Sequence, residues 1–177
     1  MFKNSPIPTL TKQSICQDFM AINEQIKNDG KTLLAFYVQF VDDYYAVANF
    51  AITKEDFANC NDNQSILDAV WSGRCELYDS PLDGVGLHQA VSSMTMGVDD
   101  YEIYNQIRHE FEICVINTLK ECDKDGIFGN RKENGILLFA YYADDYDGSG
   151  TGSLLDRSAN ALNPSERIKE IFHWCEV

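Results

Sequence analysis

Apolar residues recur along this chain with two different periods, and the switches between those periods lay out its elements. Ile15, Phe19, Ile22 and Ile26 fall at helical spacing, which predicts an amphipathic helix led in by Pro6 and Pro8, capped by Thr9 or Thr11 and ended at Gly30. Residues 33–40 and 45–52 are rich in aromatic and β-branched side chains, and the short link Val41-Asp42-Asp43-Tyr44 predicts that they pair as an antiparallel hairpin. Ile66, Leu67, Val70 and Trp71 share the face of a short helix begun by Asp62 or Asn63 and broken at Ser72-Gly73, ahead of a strand over 74–78. Leu87, Val91 and Met94 mark a second short helix. Ile103, Ile107, Phe111, Cys114, Thr118 and Cys122 form the inner face of a long one, capped by Asp99 or Asp100, whose charge also suits the helix dipole.

Residues 123–134 read as a polar turn region, and 136–142 is the most continuously apolar segment, which predicts a central strand. A loop of acids and glycines covers 144–152, and a helix covers 154–162. Asn163-Pro164-Ser165-Glu166 then offers an N-cap, a proline at the first helical position and a glutamate at the third, for a last helix burying Ile168, Ile171, Phe172 and Cys175. No linker, internal repeat or low-complexity tract interrupts the pattern. It predicts one α+β domain over 1–177, with a mixed or mainly antiparallel sheet of about four strands packed against several helices.

Composition narrows the class. With 177 residues, 45% hydrophobic and 12% aromatic, the chain can bury a sizeable core, which argues against disorder. Its 28 Asp and Glu stand against 14 Lys and Arg, a net charge of −14 that opposes direct binding to nucleic acid or an anionic membrane. No segment approaches the roughly 20 apolar residues of a membrane span. Residues 1–10 lack the apolar run of a signal peptide, so a cytoplasmic location is expected. The six cysteines contain no CxxC pair, which disfavours a zinc ribbon or thioredoxin-like site, and reduced, mostly buried thiols are expected.

Candidate chemistry is sparse. Glu121-Cys-Asp123-Lys-Asp125-Gly126 looks in part like a calcium loop, but the closing twelfth position is Lys132, where an acid is needed. Gly148-Ser-Gly150-Thr-Gly152 follows a strand, yet its spacing fits neither dinucleotide nor P-loop patterns, and three aspartates before it would repel a phosphate. His88, His109 and His173 stand in no catalytic signature. The expectation is a protein that is not an enzyme and carries neither cofactor nor metal.

The acids themselves are more informative, because they cluster beside tyrosines. Asp42, Asp43 and Tyr44 mark the hairpin tip; Asp99, Asp100 and Glu102 mark a helix start; Asp144, Asp145, Tyr146 and Asp147 follow a strand. Carboxylates so placed can pair with Lys and Arg of a partner while tyrosines supply buried contact area, and their field would speed encounter with a basic surface. These ten residues are the candidate partner-binding set.

The order of elements, with Phe36-Tyr37 in an early strand, Trp71-Ser72 followed by Tyr78, Gly126-Ile-Phe128-Gly129, the strand Ile136-Leu-Leu-Phe-Ala-Tyr-Tyr and Leu162-Asn163-Pro164, resembles the bacterial domain of unknown function 4303 family over nearly the whole chain. Gly73 and Glu76 stand where that pattern would place a proline and a second tryptophan, which marks a divergent member. The resemblance implies a compact bacterial α+β domain and brings no activity or catalytic residues with it. Size, charge and class also look like those of immunity proteins of bacterial toxin systems, which present carboxylates to the basic cleft of a nuclease. The leading expectation is therefore an antitoxin-like protein that neutralises a cognate toxin domain. The alternatives are a small hydrolase or metal-dependent enzyme built from distant acids and a histidine, and a regulatory module that binds a basic peptide.

Overall fold

The computed structural model describes residues 2–41, 46–60, 65–71, 73, 75–79, 85–143 and 152–172. Strands β1 (Leu33–Val41), β2 (Ala46–Thr53), β3 (Tyr78–Asp79) and β4 (Leu137–Tyr142) form one mixed sheet in the order β3-β2-β1-β4. β1 and β2 are antiparallel, with Tyr37 opposite Phe50 and Phe40 opposite Val47. β1 and β4 run parallel, with Phe36 beside Leu138 and Phe40 beside Tyr142. This is the expected α+β architecture, in its mixed form.

Alternation along β1 sends Phe36, Val38 and Phe40 to one face and Ala35, Tyr37 and Gln39 to the other, so the sheet separates two cores. The first lies beneath α1 (Ile7–Asn28), α4 (Val85–Thr95) and α5 (Tyr101–Lys124). There Phe19 of α1 meets Phe36 and Phe128 edge-on, at ring separations of 5.3 and 4.8 Å. The second lies beneath α2 (Lys54–Asn59), α3 (Ile66–Trp71) and α8 (Ile168–Ile171), and Tyr37 stacks there between Phe50 and Phe139. α6 (Arg131–Asn134) is one turn before β4.

β4 corrects one expectation, since it is an edge strand and β1 is central. Its outer side is closed by α7 (Leu154–Leu162), which gives Leu154 and Leu162 to the first core and Leu155 and Ala159 to the second. The Ser158 hydroxyl accepts from the Ala140 N–H and lies equally close to the Ala140 carbonyl, both at 2.9 Å. The Asn163 amide accepts from the Leu138 N–H at 2.9 Å and donates to the Leu138 carbonyl at 2.6 Å. Two side chains thus stand in for a fifth strand, and an edge with both faces and its rim covered acquires the apolar composition of an interior one.

Other departures have local causes. α1 begins at Ile7, ahead of both threonines, and the buried Thr11 hydroxyl donates back to the Ile7 carbonyl instead of capping. Among the described residues of the strand expected over 74–78 only Tyr78 pairs with β2, opposite Ala51, and the strand runs on to Asp79, opposite Phe50. Asn163, engaged with β4, does not cap the last helix; Pro164 leads into the 3-10 turn Ser165–Arg167 before α8. Cys60 and Cys75, expected as thiols, form a disulfide across the second core, with Cα atoms 6.1 Å apart. Nothing in their spacing signals the pair, because it exists only once α2 and the approach to β3 meet.

Candidate functional site

The parallel register fixes which parts of the chain share an end of the molecule. β1 finishes at Val41 and β4 at Tyr142, side by side. α5 runs the opposite way: Phe128, past its C-terminus, packs on Phe36 at 5.7 Å, while Phe111 packs on Phe40 at 5.4 Å. Arg108 lies over the Tyr142 ring at 4.5 Å, so the first turns of α5 extend beyond the ends of β1 and β4. Asp42, Asp43 and Tyr44 follow β1 in the chain, and Asp144, Asp145, Tyr146 and Asp147 follow β4. All seven lie outside the described residues.

The third acidic cluster is described. Asp100 is the N-cap of α5, and its Oδ1 accepts from the N–H groups of Glu102 at 2.8 Å and Ile103 at 3.2 Å. Asp99, Asp100 and Glu102 are exposed. Sequence reasoning missed the apolar residues around them: Met96, Tyr101 and Ile103 are 80, 77 and 45% exposed. Ile103 had been expected on the inner face of α5, but that face begins a turn later at Ile107. Gly97, at φ +78°, makes the turn from α4 into this segment.

Beneath the same end lies a buried carboxylate. Glu112 of α5, 3% exposed, accepts from Arg157 Nη2 of α7 at 2.5 Å, from the Tyr142 hydroxyl of β4 at 2.5 Å and from Arg108 Nε at 3.2 Å. His109 Nδ1 lies 3.4 Å from the same carboxylate and 3.2 Å from Arg157 Nη1. Burial pushes the Glu112 carboxyl up, but the bonds from Arg157 and Tyr142 and the charges of Arg157 and Arg108 outweigh it and hold it below the ordinary range. Burial and the facing Glu112 push the Tyr142 phenol far up despite Arg108. An ionised carboxylate saturated with donors is a poor proton acceptor, so its chemistry here is to tie α5, β4 and α7 together.

The other motifs resolve into structure. In the calcium-like segment Asp123 pairs with Arg131 Nη1 at 2.8 Å and Asp125 with Lys12 Nζ at 2.7 Å. Its acids are held by cations of the chain itself. Among the described residues no three His, Cys, Asp or Glu side chains gather as a metal would require, and no helix is long and apolar enough to cross a membrane. Against protein-family models, curated proteins and solved structures, the chain finds no match.

Proposed function

We propose that this is an immunity, antitoxin-like protein of the bacterial cytoplasm that neutralises a toxin domain with a basic, nucleic-acid-binding surface. One observation carries the reading: in the stretch 96–103, Met96, Tyr101 and Ile103 stand exposed among Asp99, Asp100 and Glu102. Solvent-facing methionine and tyrosine are the anchor types of protein interfaces, and the acids around them supply the charge that a basic partner needs. β1 and β4, which the other two acidic runs follow in the sequence, finish at this same end.

The test is co-expression with the product of the neighbouring gene. A complex that protects cells, and that forms more slowly as salt is raised, is the expected result. Tyr101→Ala should weaken the complex by about 2 kcal/mol or more if it is an anchor. Absence of both complex and protection would overturn the assignment.

A further inference from the structure

We infer that the opposite end of the molecule carries a binding site for a small oxyanion, phosphate or carboxylate, borne on an apolar body. A cleft of about 580 Å³ opens where β1 and β4 begin, between the C-terminal half of α1 and the turn that follows α5. Its volume falls in the range of small-molecule sites, roughly 300–1,000 Å³. Phe19, Ile26, Leu33 and Phe128, all buried core residues, form an apolar floor. Lys27, Lys31 and Lys54 line the rim, with Glu133 as the one acid among the described lining residues, and Glu55 accepts from the N–H of the lining Thr32 at 2.8 Å.

The sign of this charge sets the cleft apart. Among the described residues, it and an adjoining cleft of about 620 Å³, which share Ile136, are lined by six cations, Arg131, Lys132 and Arg167 being the others, against three acids: Glu133, Asp123 and Glu166. In the adjoining cleft Arg131 is bound to Asp123, Asn163 and two carbonyls, and Arg167 to Glu170 and the Gly135 carbonyl, which leaves Lys132 alone without an ion pair among the described residues. In the first cleft Lys31 is likewise held by Asp56 at 2.8 Å and Glu76 at 3.1 Å. Lys27 and Lys54 make no ion pair among the described residues. Two ammonium groups without an ion pair among the described residues, over an apolar floor, match a ligand with one charged head.

The far wall is rigid. The Asn134 amide donates to the Phe128 carbonyl at 2.8 Å and accepts from the Ile136 N–H at 3.1 Å, and a Cβ on Gly129 would come within 3.2 Å of it. A polyanion is disfavoured, because the whole-molecule charge of −14 would repel each further phosphate, whereas a single head group meets mainly the local lysines. The inference is independent of the partner face at the other end, and either can fail alone.

Calorimetric titration of the intact protein with phenyl phosphate, benzoate, inorganic phosphate and phenol tests it. One-to-one binding of phenyl phosphate or benzoate is expected, with inorganic phosphate and phenol at least tenfold weaker; the tighter of the first two identifies the head group. The double variant Lys27→Gln/Lys54→Gln should lose at least tenfold in affinity with its melting temperature unchanged, whereas Lys120→Gln, exposed on α5, should bind as the parent does. No saturable binding of either aromatic oxyanion, or equal binding by the double variant, would overturn the site.

Discussion

The two ends of the sheet are organised around charges of opposite sign, a buried carboxylate at one and a half-buried guanidinium at the other. Where β1 and β4 finish, the Glu112 carboxylate gathers Arg108, Arg157 and the Tyr142 hydroxyl. Where they begin, Arg131 gathers Asp123, the Asn163 side chain and the carbonyls of Ile136 and Leu162. Each node joins α5 or its sequel to β4 and α7, but their partners differ in kind. Glu112 faces two full cations; Arg131 faces one half-buried carboxylate and otherwise neutral oxygens. Loss of Glu112 therefore strands charges, whereas loss of Arg131 strands mainly dipoles, and the first should hurt more.

Glu112→Gln keeps the shape and removes the charge, leaving Arg108 and Arg157 without their counter-ion. It should lower unfolding free energy by about 3–5 kcal/mol in urea titrations at neutral pH. A loss below that of the Arg131 variant would reverse the ranking of the two nodes. Reduction of the Cys60–Cys75 bond, which spans a sequence separation of 15, should remove about 3 kcal/mol, read by the same titration with and without reductant. An unchanged midpoint would mean that the two sulfurs are not joined in solution. Arg131→Ala should follow at about 2–3 kcal/mol, because a charged donor to several acceptors is lost while most of those acceptors are neutral.

Acid sharpens the contrast further. Since the folded Glu112 carboxyl titrates below its unfolded value near 4.3, its contribution is complete above about pH 4.3 and disappears as pH falls through the lower folded value. The parent should lose stability over that acid range, and Glu112→Gln should lose less. Parallel acid titrations of the two proteins would remove Glu112 from the account. The smallest effect concerns Asp100: Asp100→Ala should cost about 1 kcal/mol as a lost cap, whereas Asp100→Asn, an equally good cap, should leave stability nearly unchanged. Because the asparagine form alters only the charge, any change in its partner binding reports recognition and not folding.

What could be read from the chain follows the range of the forces involved. Asp100 was legible as a cap because capping is decided within three residues, and the stripe Ile15, Phe19, Ile22, Ile26 was legible because one helix face decides it. The burial of 136–142 was legible too. Its position was not, since Ser158 and Asn163 reach its rim from beyond the end of the strand. Glu112 was missed for a related reason. It sits between Phe111 and Val115 on the buried face, four residues after Arg108, and that misplaced acid with its i−4 arginine was the available signal. Its remaining partners, Tyr142 and Arg157, come from other elements that only the fold brings near.

The parallel seam between β1 and β4 also has a kinetic meaning. β1 can close its hairpin with β2 as soon as residue 53 is made, but its other side is completed only by a strand that ends at residue 142. At a synthesis rate of about 5–20 residues per second, the middle strand of the sheet waits on the order of 5–20 s with one row of amides and carbonyls unpaired. Loop closure over that span also makes this pairing slow when the whole chain refolds. The newborn hairpin is therefore the stage at which this molecule is most open to a chaperone, or to another copy of itself.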